Sequence, residues 1–460
     1  MSEPKKLPRP ADNKMGTQPI GKLLFTMALP MIISMLVQAL YNIVDSIYVA
    51  GISENAVTAL GLAFPIQNLL IGFSTGIGVG MNALLSKSLG EKDQDRANRA
   101  AGNGILLTAI AMGLFMLFGI FGSKAYFAVQ CDDADIVQKG ADYTAICCIF
   151  SLGLFVEILG EKLLQASGRT IYTLFIQGTG AIINIILDPI LIFGVGSWEG
   201  MGIAGAAVAT VIGQWVAAVM AVVFNLKCNP DVQFAAKYLK PIGDVIKPIL
   251  TVGIPSIVMM AIGSVMNFGM NQIFLGFDNT GKTAAGVFGI YFKLQSFFFM
   301  PVFGLNNATI PIVAFNYGAR NPKRITATLK RAVLSVMCIM LLGLLAFQTL
   351  PELLLMPFQP SDDFLHMGVS ALRIISTIFP LAAIGIALGA SFQALGNGIY
   401  STITSLCRQL IVLLPAAFLL SLSGNVNAVW WAFPIAEIVS LSVTLFFFIR
   451  IYRQKIKPLF

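Results

Sequence analysis

The sequence predicts an all-α polytopic membrane protein of twelve transmembrane helices in two parallel six-helix repeats. Three observations predict it: an apolar composition, the length of the apolar runs, and a motif repeated at a fixed offset. Of 460 residues 57% are hydrophobic and 11% charged, with mean hydropathy +0.81. That balance leaves too few polar groups to cover a water-facing surface, so membrane lipid is the expected solvent. Hydrocarbon cannot hydrogen-bond a bare backbone, so spanning segments are helices or closed barrels. The runs here far exceed the roughly 10 residues of a barrel strand, which selects helices.

Apolar runs fall at 23–51, 56–86, 98–123, 140–166, 171–196, 202–226, 246–276, 283–316, 329–350, 367–395, 400–422 and 428–449. Each is near or above the ~20 residues a bilayer requires. Lys5, Lys6, Arg9, Lys14 and Lys22 precede the first run, which is too long for a cleavable leader, so no signal peptide is expected. An even number of spans puts both termini on one side.

The net charge of +8 is carried by short loops. Lys87, Lys92, Arg96 and Arg99 follow span 2; Lys227, Lys237 and Lys240 follow span 6; Arg320, Lys323, Arg324, Lys330 and Arg331 follow span 8. Arg450, Arg453, Lys455 and Lys457 lie in the tail. Loops of the other side mix Lys124, Lys139 and Lys282 with Asp132, Asp133, Asp135, Asp362 and Asp363. The asymmetry predicts cytoplasmic basic loops and cytoplasmic termini in a multi-pass protein of the cell membrane, and it gives no contiguous basic face for nucleic acid. The six cysteines have no metal-ligand spacing and read as packing residues, and His366, the single histidine, reads as a wet loop or interface residue.

The longest polar interruption, Lys227 to Asp244, contains Pro230, Pro241 and Gly243 at mid-chain and reads as a linker. The expected organisation is therefore a terminal segment 1–22, a first half 23–226, a linker 227–245, a second half 246–450 and a tail 451–460. QASGRTIY at 165–172 matches QALGNGIY at 393–400, every pair 228 positions apart. The same offset links Gly90 to Gly318, Gly61 to Gly289 and Gly76 to Gly304, while Pro30 and Pro255 differ by 225. Glycines recur in any packed membrane helix, but that does not produce an eight-residue match. Six spans per half make the repeats parallel, with a cavity expected at their interface, an organisation found in secondary transporters.

An ionisable group deep in a span costs at least ~2.5–3.5 kcal/mol, so each is a functional candidate unless it reaches an interface or a partner. Asp45 lies in span 1, with Gln38 seven residues earlier on the same face and Asn42 one turn away. In span 5, Asn184 and Asp188 share a face at i, i+4, and Pro189 frees the carbonyl of Ile185. With the Thr210 hydroxyl of span 6, Asp45, Asn184 and Asp188 can ligate a small cation such as Na⁺ or share a proton; the other reading is interhelical hydrogen bonding. Glu157 and Glu161 are i, i+4 in span 4 near Lys162 and Arg169, so each reads as coupling group or paired interfacial residue, with Glu161 preferred.

In the second half Lys293, Arg408 and Glu437 fall inside spans, where mutual pairing lowers their cost and is as good a reading as substrate contact. Flexible thioethers and aromatic rings suit varied amphipathic cations, which makes Met260, Met270, Asn271, Lys293, Met300 and Arg408 the candidates for a substrate cavity. No phosphate-binding glycine loop, zinc-protease motif or nucleophile elbow is present, so uphill transport would draw on an ion gradient, with no cofactor.

The segments ALPMIISMLVQALYNIVDSIYVAG, INIILDPILIFGVG, GIAGAAVAT and PIVAFNYGARNPKR, with the two QAxG turns, resemble the multidrug and toxic compound extrusion (MATE) family, in particular its bacterial DinF/MepA-like branch. The resemblance covers about residues 20–450. It implies two six-helix lobes in a V, a monomer, and export of small organic cations and drugs in exchange for Na⁺ or H⁺. It also places Asp45, Asn184, Asp188 and Thr210 in a coupling cluster, with Gln38 nearby, and gives Glu161 the place of a span 4 acidic residue of MepA-like members. The second half lacks the acidic cluster of the NorM-like branch, which puts coupling in the first. The rivals are a lipid-linked oligosaccharide flippase of the same superfold, expected to have a more cationic cavity, and an intramembrane enzyme or receptor, for which no catalytic pair or sensor domain is visible.

Overall fold

The structure is a computed structural model. It describes residues 13–196, 198–278, 280–358 and 361–460, and within them the side chains at 42, 43, 46, 47, 50, 54, 57 and 198 are outside the description. Lys5, Lys6 and Arg9, and the side chain of Asn42, therefore lie outside the described residues.

Among the described residues ten helices are long and apolar enough to cross a membrane, and two bent pairs, each counted as one span, bring the number to twelve. In the first half these are α1 (Ile20–Ala50), α2 (Glu54–Gly90), α3 (Gln94–Phe121), the pair α4a (Ala134–Ile149) and α4b (Leu152–Ala166), α5 (Ile171–Phe193) and α6 (Ile203–Cys228). In the second they are α7 (Gly243–Leu275), α8 (Gly281–Gly318), α9 (Pro322–Thr349), the pair α10a (Asp362–Ser376) and α10b (Phe379–Ala394), α11 (Gly398–Leu406, continued by Leu413–Ser421) and α12 (Ala432–Ile451). Span 5 ends earlier than the sequence suggested: Gly194, with φ +85°, stops α5, and the chain turns into a two-residue hairpin, Gly194–Val195 against Trp198–Glu199.

Spans 4 and 10 are not continuous. They bend by 48° and 49° at breaks 150–151 and 377–378, which are 227 residues apart, within one residue of the repeat offset. The first break is held open by the opposing helix: the Trp215 indole donates to the Phe150 carbonyl at 3.2 Å, and Gly153 brings α4b onto the α6 backbone, where a Cβ would lie 2.9 Å from the Trp215 nitrogen. The second break has a covalent cause. Pro380 has no N–H for the Ser376 carbonyl and sits in the first turn of the new helix, where proline is tolerated.

The turns reproduce the sequence repeat atom for atom. After α4b, Gly168 adopts φ +82° and Arg169 donates to Leu164 at 2.7 Å; after α10b, Gly396 adopts φ +76° and Asn397 donates to Phe392 at 2.7 Å. Both are left-handed glycine caps that satisfy the last helical carbonyls. At the ends of α2 and α8, Lys92 and Arg320 take positive φ, and Asp93 and Asn321 then cap the next helix by accepting from Arg96 and Arg324.

The halves pack by exchange, α1 against α8 and α2 against α7. Their close contacts gather at the end carrying the basic loops. A Cβ on Gly90 would lie 2.0 Å from the Phe315 carbonyl, and one on Gly318 would lie 2.1 Å from the Lys87 carbonyl, a reciprocal pair. Gly76 and Gly80 meet α7 and Gly304 meets α1 in the same way, the small-residue packing expected where lipid gives no hydrophobic drive. Toward the other end the helices part, and a Cβ on Gly61 or Gly289 would meet nothing within 4 Å. The segment between α6 and α7 runs along the start of α3, where Asn98 and Asn103 accept from the Gln233 and Ile242 amides.

Candidate functional site

The first half holds a partly open cavity of about 70 Å³ lined by both polar and apolar side chains. Gln38 and Tyr41 reach it from α1, Glu157 from α4b, Gln177 and Asn184 from α5, and Thr210 and Gln214 from α6. Helical spacing sets this: Gln177 and Asn184 are seven residues apart and Gln38 and Tyr41 three, and Asp188 and Asp45 follow four residues on along the same faces without lining the cavity themselves. Gly180 and Gly213 let α5 and α6 approach, a Cβ on Gly213 lying 2.8 Å from the Gly180 carbonyl.

Asn184 organises the site. Its Nδ2 donates to Asp188 Oδ1 at 3.2 Å and to Thr210 Oγ1 at 3.3 Å. Asp188 is fully buried and Asn184 nearly so. Asp45 is on α1, which packs against α5, the helix of Asp188. Three oxygens here are buried without a hydrogen-bond donor: Asp45 Oδ1, Asn184 Oδ1 and Asp188 Oδ2. A buried acceptor left bare costs about 1–3 kcal/mol, more when charged, and a proton or a small cation is chemically able to satisfy such oxygens.

Glu161 and Glu157 separate here. Glu157 lines the cavity, whereas Glu161 is buried one turn closer to the basic-loop end and is not on its wall. Its Oε1 has no donor. The adjacent Lys162 is 5% exposed, and its Nζ donates to Gln165 Oε1 at 3.0 Å and across the interface to Asn307 Oδ1 of α8 at 3.2 Å. Span 4 thus carries a buried lysine that bridges the halves. Sequence reasoning treated that lysine only as a neighbour, because nothing in a single helix reveals what stands opposite.

The proposed cavity residues of the second half do not form one group. Lys293, Phe297, Met300 and Gly304 recur at four, three and four, so they share one face of α8, and Gly304 packs on Ile32 of α1. Lys293, exposed, therefore faces the first half above the closed contact and is not part of the ion pair expected of it. Met260 of α7 stands 3.6 Å from a Cβ built on Gly72 of α2, also between halves. Asn271 is half-buried on the same helix. Met270 is fully buried in the packed core and presents no surface to a cavity, a correction that follows from its facing Phe274 and its neighbours inside the bundle. Arg408 pairs with Glu437 at 4.0 Å inside the second half. Tyr41, Gln177 and Gln214 were not anticipated, although Gln177 and Gln214 lie one or two turns from Asn184 and Thr210 and the same face argument reaches them.

A family model described as MatE matches residues 30–190 and 255–419, one block in each half. The Multidrug export protein MepA of Staphylococcus haemolyticus is 26% identical over 429 residues, 93% of each chain, and that of Staphylococcus aureus is 26% identical over 422 residues, 91% of each. Among solved structures, one described as the outward-facing conformation of a multidrug resistance MATE family transporter of the MOP superfamily superimposes with TM-score 0.90 at 23% identity, over 100% of this chain and 99% of that one. The fold, the doubled family match and the full-length relatives agree that this chain is a MepA-like member of the MatE family of multidrug efflux transporters.

Proposed function

We propose that the chain exports cationic and amphipathic organic compounds by antiport with Na⁺ or H⁺, and that the ion acts in the first half. The observation that carries this reading is the set of bare buried oxygens on Asp45, Asn184 and Asp188, of which Asn184 lines the first-half cavity. A proton satisfies one by turning an acceptor into a donor; a sodium ion satisfies several at once, with Thr210 and Gln38 completing the oxygen set. Glu157 stands on the same wall and joins the coupling set ahead of Glu161.

The basic loops and both termini lie on the cytoplasmic side of a bacterial cell membrane, so the present conformation is closed to the cytoplasm. Substrate binds between the halves, where Lys293, Met260 and Met300 face the cleft. One chain supplies both sites, and it works as a monomer. The ion favours one state and the drug the other, and each shifts the equilibrium only by its difference in affinity between them.

The test is ethidium movement in proteoliposomes with Na⁺ and H⁺ gradients imposed separately. Transport should require one of them and be abolished by Asp45→Asn. Movement without any gradient, or full activity in that variant, would overturn the proposal.

A further inference from the structure

The halves carry different chemistry at equivalent places. At the 228-residue offset, Gly180 of the cavity wall corresponds to Arg408, Glu157 to Gly385, and Ala209, beside Thr210, to Glu437. Gly213, which seats α6 on Gly180, corresponds to Leu441. Where the first half joins its fifth and sixth spans through two glycines, the second has a guanidinium and a leucine. The helix absorbs that bulk by winding as a π-helix over Cys407–Val412, a form concentrated at functional positions. Arg408 Nη1 then lies 4.0 Å from Glu437 Oε2, and Glu437 is 3% exposed. Gly385 abuts the carboxylate, since a Cβ there would stand in ordinary contact, 3.7 Å, with Glu437 Oε1. Tyr291 of α8 is the other titratable group facing the pair, and the neighbouring Gln409 donates instead to Ser405.

We infer that Glu437, at a place in the second half equivalent to the surroundings of the first-half cavity, sits in a cation pocket of its own filled by a tethered cation, the Arg408 guanidinium, the first-half ligands Asn184, Asp188 and Thr210 being replaced there by Val412, Ala416 and Ile438. Naming the pocket rests on the reading of the first half as the ion site; the occupancy of Glu437 by Arg408 does not. The first half leaves its carboxylates for an exchangeable ion, and the second has covalently supplied its own. This restricts coupling to one half and gives Glu437 a fixed charge partner through the cycle. Removing the guanidinium then creates a second site for a small monovalent cation.

The test uses purified full-length protein in detergent, read by melting midpoint against added methylguanidinium, NaCl or acid and by equilibrium binding of radioactive sodium. Arg408→Ala should be stabilised by a few degrees by methylguanidinium in a saturable manner, because a ligand that binds only the folded state raises its stability. Wild type, Arg408→Lys and Arg408→Ala/Glu437→Gln should not respond to it. Arg408→Gln should show a cation response that survives Asp188→Asn and disappears on adding Glu437→Gln. If Arg408→Ala does not fold, Arg408→Gln alone decides, read by sodium binding and by the same midpoint. A response in neither variant, or one that persists without Glu437, overturns the inference. A native chain whose response survives Asp188→Asn refutes the first-half reading separately, leaving the Arg408 comparison to stand on its own result.

Discussion

Gly318→Ala tests how the two halves close. A Cβ at this position would sit 2.1 Å from the Lys87 carbonyl, while ordinary contact begins at 3.4 Å, so α2 and α8 must separate by about 1.3 Å. The obstructing atom is backbone and cannot rotate aside. Overpacking of this kind costs about 1–3 kcal/mol, and it falls only on the state in which these ends touch. That penalty moves the equilibrium toward the opposite state roughly 5–150-fold. The assay is electron–electron spin resonance between labels at Asp95 and Lys323, exposed residues just past the two turns, after replacement of the six native cysteines. The longer distance should gain population and transport should fall. Gly90→Ala should do the same through Phe315. A distance distribution and a transport rate both equal to those of the parent would refute the close approach.

Further outcomes are expected. In reconstituted transport, Asp188→Asn and Glu157→Gln should each impair ion coupling more than Glu161→Gln; the reverse order would move the coupling site one turn along α4b. Lys162→Met removes the amine bonded to Asn307 and should weaken closure at the basic-loop end, read by the same spin-label pair, without altering ion binding. Gly168→Ala and Gly396→Ala should each cost about 1 kcal/mol or more of thermal stability, since both glycines hold positive φ in the same cap. In the linker, burial raises the Asp231 carboxyl above its ordinary 3.8 despite the Arg169 guanidinium at 3.3 Å. The stability tied to its protonation is present below 3.8 and lost as pH rises through the raised value, so Asp231→Asn should flatten the melting profile across that window.

The spans and the repeat were legible because the bilayer sets length and hydropathy, and because the QAxG turns encode a glycine cap that only glycine fills at low cost. The breaks at 150–151 and 377–378 were not. Pro380 offered a local sign of the second, but the first depends on Trp215 from another span. Face periodicity brought Asn184, Asp188 and Thr210 to one site, yet it could not rank Glu157 and Glu161, which differ by a single turn of depth. The pairing of Arg408 with Glu437 rests on how α11 packs on α12, and the separation of Lys293 from them on which way α8 turns, properties of packing between helices and of no single one.

The exchanged packing of α1 on α8 and α2 on α7 has a consequence for biogenesis. While the first six spans are in the membrane and the rest are still on the ribosome, the glycine-lined faces around Gly76, Gly80 and Gly90 have only lipid against them. Their proper cover is a surface built to the same plan, so a second nascent first half offers a near match. Insertion of α7 and α8 from the same chain covers those faces, and the short segment anchored along α3 keeps that partner near.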